Sequence, residues 1–284
     1  MVGKTIKKWW PVFVLPTLAA FIIGFLWPFI WGIYLSFCKF TTVQDVTFVG
    51  LANYSKLLLD KTFSHSFWLT VIFAFVSSIL INVLAFSIAL ALTKGFRGTN
   101  VFRTVFFMPN LIGGIVLGYI WQTLLNGLLS MWGQPLLALS AKNGFIGMLL
   151  LLMWQQIGYM MIIYVAGLNN VSPDLVEAAQ IDGANRFQRI WHITLPGIRP
   201  TIIVLLIMSI GGALGVGMER QMLLSNGLVQ DHTMVLSWFS YMRGIKNSDY
   251  GLGTAIGVFQ SVVGVTLLLL ANKIAGMVGE DKLV

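Results

Sequence analysis

The stretch VSPDLVEAAQIDGANRFQRIWHITLPGIRP, residues 171–200, separates two long apolar runs near the middle of the chain. Its six charged residues are Asp174, Glu177, Asp182, Arg186, Arg189 and Arg199. Charged side chains are costly inside hydrocarbon, so a polar segment of this length must lie outside a bilayer. The segment is therefore accessible to a soluble partner.

Local chemistry predicts two short helices joined by a glycine turn in this segment. Ser172 is a good N-cap residue, Pro173 suits the first helical position, and Asp174 puts an acid in the first turn. Gly183 suits the positive φ that ends many helices. A second short helix is predicted for residues 185–193, ended by the prolines of the ITLPGIRP segment. By these features alone, the hairpin could simply link two membrane spans.

The composition predicts an all-α integral membrane protein. Of the 284 residues, 57% are hydrophobic and only 10% are charged, against roughly 25% charged in soluble proteins. A spanning helix needs about 20 apolar residues, so about six spans and their short loops would use up the 284 residues. No room is left for a separate soluble domain. We predict one transmembrane domain over residues 1–284 with six spans, at about 11–37, 67–93, 104–125, 144–168, 201–218 and 251–271.

The distribution of basic residues predicts the orientation. With six spans, the N-terminus, the 94–103 loop, the 171–200 segment and the C-terminal tail share one side and hold eleven Lys and Arg, against seven in the three opposite loops. The positive-inside rule then places both termini and the polar segment in the cytoplasm. Basic loops also explain the net charge of +8, so a nucleic-acid partner is not expected.

Several kinds of catalytic and metal site are missing from the sequence. It contains no GxxxxGK[ST] phosphate loop and no HExxH or GxSxG motif. Cys38 is the only cysteine, and His65, His192 and His232 are far apart in sequence. We therefore expect no catalytic residue, no metal site and no cofactor on this chain.

The predicted spans contain no Asp, Glu, Lys or Arg in their interiors. This weakens the alternative of an ion-coupled secondary transporter, which usually keeps an ionisable group at mid-membrane. Amides and aromatic rings suit a neutral, hydroxyl-rich solute, although each could equally bond to a neighbouring helix. Arg220 would be a counter-charge for an acidic cargo. The candidate substrate-path residues are Asn82, Gln122, Trp154, Gln155, Tyr159, Glu219, Arg220 and Gln260.

The polar segment resembles a known family motif. Its EAAQIDGA and ITLP sequences, residues 177–184 and 193–196, resemble the EAA loop of permeases of binding-protein-dependent ABC importers, in the form found in sugar importers. Ile190 departs from the pattern, which has an aromatic residue there. The resemblance extends to FVLPTLAAFIIGFLWPFIWGIYLSF near the N-terminus and to MWQQIGYMMIIYVAGL before the loop. It implies the Type I importer fold.

The resemblance also implies a role and partners. Residues 172–195 would be a cytoplasmic coupling loop between spans four and five that docks on an ATP-binding subunit. The coupling residues would be Glu177, Ala178, Ala179, Asp182, Gly183, Ala184, Arg189, Ile193, Leu195 and Pro196. The implied assembly has a second homologous permease, two ATP-binding subunits that hold ATP and Mg²⁺, and an extracytoplasmic sugar-binding protein. It would import a sugar or oligosaccharide across the bacterial cytoplasmic membrane.

Two other hypotheses remain open from the sequence. One is an ion-coupled secondary transporter of a neutral solute. The other is a structural subunit of a membrane enzyme complex. The first would lose uptake when the ion gradient collapses, and the second would show no solute flux.

Overall fold

The computed structural model describes residues 2–42, 44–215 and 233–277. The helices and strands in these residues are α1 (Val2–Phe21), α2 (Trp27–Ser36), β1 (Cys38–Lys39), β2 (Thr47–Phe48), α3 (Ala52–Leu59), α4 (Lys61–Leu92), α5 (Thr99–Phe107), α6 (Gly114–Met131), α7 (Ala141–Leu168), α8 (Pro173–Ile181), α9 (Arg186–Arg189), α10 (Leu195–Gly197), α11 (Arg199–Gly215), α12 (Leu236–Tyr241) and α13 (Tyr250–Met277). Short π-helical and 3-10 turns join several of them: Ile22–Leu26, Met108–Leu111, Leu137–Leu139, Ile190–Thr194 and Met242–Lys246.

Five helices of the described residues are long and apolar enough to cross a membrane. They are Trp9–Ser36, Lys61–Leu92, Gly114–Met131, Ala141–Leu168 and Tyr250–Leu270. A bent pair, Arg186–Gly197 and Arg199–Gly212, would make a sixth if it counts as one span. The fold is thus that of an all-α multi-pass membrane protein, and the count of six spans stays a prediction.

The third predicted span begins in the wrong place. The sequence predicts one helix over 104–125, whereas α5 ends at Phe107 and α6 starts only at Gly114. Pro109 lies in the 3-10 turn between them, and Ile112 is extended, with ψ of 133°. Proline has no N–H to donate to the preceding helical turn, so the helix breaks here. The other predicted spans overlap observed helices, except that residues 216–218 lie outside the described part of the chain.

The chain divides into two compact units, and the first comprises residues 1–61 and 240–261. In this unit the Asn53 amide donates to the carbonyls of Ser36 and Cys38, both at 2.8 Å. These bonds satisfy the Ser36 carbonyl at the end of α2, which the helix leaves unpaired, and the Cys38 carbonyl at the start of β1. Strands β1 and β2 pair antiparallel, with Cys38 opposite Phe48. Two ion pairs at 2.7 Å also link segments of the unit: Lys56 with Asp249, and Arg243 with Asp60.

The second unit comprises residues 62–239 and 262–284 and contains the polar segment. Its core lies between α4, α6, α7 and α11, and its fully buried side chains include Phe73, Leu117, Met148, Leu151, Met161, Tyr164 and Leu205. Helix α7 is central to this core because it packs against α5, α6 and α11. The polar segment leaves the core at the end of α7 and returns to it at the start of α11.

Candidate functional site

The first arm of the polar segment is helix α8. Ser172 occupies the N-cap position and Pro173 the first turn, as predicted, but the Ser172 side chain makes no capping hydrogen bond. Asp174 lies in the first turn, where an acid interacts favourably with the helix dipole. Proline and the acid therefore favour the start of this helix without help from the serine hydroxyl.

Helix α8 ends in a Schellman motif at Gly183. The Gly183 N–H donates to the Gln180 carbonyl at 3.1 Å, and the Ala184 N–H donates to the Ala179 carbonyl at 2.9 Å. Gly183 has φ of +79°, a left-handed conformation that glycine adopts without penalty. The predicted positive φ is confirmed. A Cβ at this position would have no atom within 4 Å.

The second arm begins with a capping box and continues further than predicted. The Asn185 side chain accepts from the Gln188 N–H at 2.9 Å, and the Gln188 side chain accepts from the Asn185 N–H at 2.8 Å. A π-helical turn then leads into α10, so helical backbone runs past Pro196 to Gly197. The π-turn bonds Leu195 N–H to the Ile190 carbonyl, which changes the bonding pattern just before the proline. We call residues 172–197 the hairpin.

The two arms enclose a cleft of about 360 Å³. Six of the predicted coupling residues line it: Ala179, Asp182, Gly183, Ala184, Arg189 and Ile193. The cleft also includes Gln188 and His192, which were not predicted, and the His192 ring nitrogen Nδ1 lies 3.0 Å from the Gln188 carbonyl. The remaining four predicted coupling residues, Glu177, Ala178, Leu195 and Pro196, do not line the cleft.

The hairpin exposes large apolar side chains. Ile181 is 87% exposed, Phe187 72% and Trp191 59%, and the Phe187 and Trp191 rings stack with centroids 6.1 Å apart. Large exposed apolar groups on a polar hairpin indicate a surface that contacts another protein or a membrane. Sequence reasoning missed these residues, although Phe187 and Trp191 are four positions apart and therefore share a helical face.

Asn82, a predicted substrate-path residue, lies in a buried junction between three helices. Its amide donates to the Ser78 carbonyl at 2.8 Å and to the Ser209 hydroxyl at 3.1 Å. The Tyr164 hydroxyl donates to the side-chain oxygen Oδ1 of Asn82 at 2.8 Å, and the Ser209 hydroxyl donates to the Leu206 backbone carbonyl. Because both N–H groups of Asn82 are used, a solute could accept from them only if the junction opened. The junction joins α4, α7 and α11.

Replacing Asn82 by leucine is expected to destabilise the protein. The change removes three hydrogen bonds and leaves the Tyr164 hydroxyl buried without its acceptor, at a cost of about 1–3 kcal/mol. Thermal unfolding in detergent measures the loss. Ser87→Ala is the control, since the exposed Ser87 hydroxyl has one partner in the described part of the chain, the Val83 carbonyl of the same helix. Equal stability of the two variants would contradict a stabilising role for the junction.

Gln155 and Trp154 lie one after the other on α7. The Gln155 amide donates to the Ile112 carbonyl at 3.4 Å, at the break before α6. In hydrocarbon such a carbonyl needs a partner, so Gln155 helps to satisfy the broken helix. The Trp154 and Trp121 rings meet edge to face at 5.4 Å, and Trp154 remains 40% exposed.

The other predicted path residues are less closely defined. Gln122 on α6 and Tyr159 on α7 are half-buried in the second unit, whereas Gln260 is half-buried in the first unit. Tyr164 follows Gln155 by nine residues, or roughly 13 Å along α7. The Asn82 junction is therefore well separated from Gln155. Glu219 and Arg220 lie outside the described residues.

Comparison with known families gives a match over most of the chain. Residues 81–276 match the model of the family described as binding-protein-dependent transport system inner membrane component. The matched region contains the hairpin, the Asn82 junction and the Trp154 region.

Three similar proteins extend the match to nearly the full length. The probable starch degradation products transport system permease AmyD of Thermoanaerobacterium thermosulfurigenes is 32% identical, over 93% of this chain and 94% of its own. The polygalacturonan/rhamnogalacturonan transport system permease YteP of Bacillus subtilis is 30% identical, over 97% and 90%. A bacterial alginate ABC transporter, solved in complex with an alginate pentasaccharide-bound periplasmic protein, contains a chain with a TM-score of 0.84. That chain is 26% identical, and the match covers 99% of each chain.

Proposed function

Because this chain belongs to the family of inner membrane components of binding-protein-dependent transport systems, we propose that it is the permease subunit of an ATP-driven importer of oligosaccharides. Members of the family are non-catalytic permeases, and ATP hydrolysis takes place on a separate chain. The exposed apolar residues of the hairpin support its role in coupling, because they form a surface suited to a protein partner.

A carbohydrate cargo is supported from two directions. The similar permeases and the solved transporter are named for starch products, polygalacturonan and alginate. Within this chain, Trp154 is 40% exposed and offers a ring on which a sugar could stack. The same unit contains the predicted polar residues Gln155, Tyr159 and Gln122. Gln260, in the first unit, and Glu219 and Arg220, outside the described residues, remain solute contacts predicted from the sequence alone.

Two parts of the hairpin surface would contact the ATP-binding subunit. The predicted coupling residues that line the cleft would receive a side chain of the ATP-binding subunit, while Ile181, Phe187 and Trp191 would pack against its surface. Among the described residues, the side chains of Glu177 and Arg189 make no hydrogen bond or ion pair. They are therefore available for charge-assisted contacts with that subunit.

The proposed assembly follows from the family. This chain would pair with a second permease and bind two ATP-binding subunits, which hold ATP and Mg²⁺, while this chain holds no cofactor. An extracytoplasmic binding protein would deliver the sugar. The excess of basic residues on one side of the predicted topology supports a cytoplasmic location for both termini and the hairpin in a bacterial cell.

Uptake into proteoliposomes tests this proposal. The complex is purified through a tag on this chain and reconstituted with its binding protein, and labelled maltotetraose or tetragalacturonate is added outside. We expect uptake of at least one of them to require ATP at the hairpin side and to persist when a protonophore collapses the ion gradient. The accumulated label and the released phosphate are measured together.

The competing hypotheses predict different results. Uptake that stops with the protonophore at constant ATP would identify an ion-coupled secondary transporter. An absence of flux for both sugars, together with an ATPase rate that the binding protein does not stimulate, would favour a structural subunit. Either result would overturn the proposed function.

A further inference from the structure

The two ends of the hairpin touch each other at its base. Gly167, near the end of α7, lies so close to Thr201 that a Cβ on the glycine would be 2.6 Å from the Thr201 hydroxyl oxygen and 3.0 Å from its methyl group. On the other side, a Cβ on Gly197 would lie 3.2 Å from a methyl group of Val171. At the base of the hairpin, Gly167 on the incoming side therefore faces Thr201 on the outgoing side, and Gly197 on the outgoing side faces Val171 on the incoming side.

This arrangement makes the base closely packed and stiff. A Cβ on Gly167 would require the Thr201 side chain to move, and a Cβ on Gly197 would require a small shift of Val171. Valine and threonine have restricted χ1 rotamers, so neither can easily turn away. Gly167 is buried and Val171 and Thr201 are half-buried. The two contacts hold the start and the end of the hairpin together.

A bend at the buried residue Ile198 sets the direction in which the second arm of the hairpin leaves the core. The axis bends by 73° between Arg186–Gly197 and Arg199–Gly212. Ile198 lies at the bend, is 1% exposed and packs in the core of the unit. Backbone bonds continue through it, from Ile198 N–H to Thr194 and from Ile202 N–H to the Ile198 carbonyl, both at 3.0 Å. Swinging the arm would pull Ile198 out of the core.

The same two helices are joined again further along. The Asn82 junction connects Tyr164, one turn before Gly167, to Ser209, about two turns after Thr201. Helices α7 and α11 are thus tied at the base of the hairpin and within the core. A force on the hairpin reaches both helices together.

We propose that Gly167 and Gly197 are positioning residues for energy coupling. Their close packing prevents bending where the hairpin joins α7 and α11. The hairpin and these two helices then move as one rigid body. This inference rests on the proposed function, since it assigns a mechanical role to the hairpin as the element that receives motion from the ATP-binding subunit.

The test is the number of sugar molecules imported per ATP hydrolysed by the reconstituted complex. Gly167→Ala is expected to lower this ratio by about two- to thirtyfold, the range for substitutions that modulate coupling between sites. Membrane insertion and co-purification of the ATP-binding subunits should stay at the wild-type level. Adding Thr201→Ala removes the hydroxyl and methyl contacts, so the double variant should recover part of the ratio.

Three outcomes would contradict the proposal that the hairpin moves as one rigid body with α7 and α11. They are an unchanged ratio in Gly167→Ala, a double variant no better than the single one, or a parallel loss of ratio and subunit binding. If Gly167→Ala does not insert, Gly197→Ala with and without Val171→Ala gives the same comparison, because Val171 supplies the contacts within 3.9 Å of that Cβ. A wild-type complex that imports sugar without ATP would instead overturn the proposed function itself.

Discussion

Replacing Gly158 by alanine is expected to destabilise the protein strongly, so that most of the folded protein is lost on heating in detergent. Gly158 lies near the middle of α7, where α5 crosses it. A Cβ at this position would overlap the carbonyl group of Phe106 and lie 2.8 Å from the Phe107 nitrogen. These are backbone atoms, which cannot rotate away as a side chain can. We expect a cost of about 3 kcal/mol or more, the upper end for overpacking.

Gly212→Ala is the matched control for this change. A Cβ on Gly212 would have no atom of the described residues within 4 Å, so the same methyl group meets none of their side chains or backbone. Alanine also has the higher helix propensity, by about 1 kcal/mol, so this control should be as stable as the wild type or more so. The fraction of monodisperse protein that remains after a temperature series measures both variants. A Gly158→Ala protein as stable as the control would mean that α5 and α7 can separate freely.

The features that the sequence predicted well are local ones. The apolar runs indicated a multi-pass membrane protein, and the ends of α8 followed from Pro173 and Gly183, since a proline start and a glycine stop depend on neighbouring residues only. The turn also brings together six of the predicted coupling residues at the cleft, while their role in coupling stays a prediction.

The features that it missed depend on distant residues. Asn82, Tyr164 and Ser209 are far apart in sequence, and an apolar span gives no periodic signal for the face that packs on protein rather than on lipid. Asn82 therefore read as a candidate solute contact, although the structure uses it to join three helices. The break before α6 was missed because Pro109 and Gly113 stand in an otherwise continuous apolar run, where proline can also be accommodated as a kink.

Replacing Gly183 by valine is expected to reduce ATP-driven sugar uptake by about five- to thirtyfold or more. The φ of +79° costs an L-residue roughly 1–2 kcal/mol, and a β-branched side chain suffers more. The hairpin would relieve this strain by opening the Schellman turn, which changes the angle between its arms and the shape of the cleft. Uptake into proteoliposomes and co-purification of the ATP-binding subunits measure the effect.

Gly183→Asn separates backbone strain from added bulk. Asparagine tolerates the left-handed conformation, and a Cβ at this position would meet no atom of the described residues within 4 Å. We therefore expect the asparagine variant to keep most of its uptake. Equal losses in both variants would mean that bulk on the docking surface is responsible, and not the turn. A valine variant that imports sugar normally with the ATPase bound would contradict the coupling role of the hairpin, because its turn would then be free to change shape without consequence.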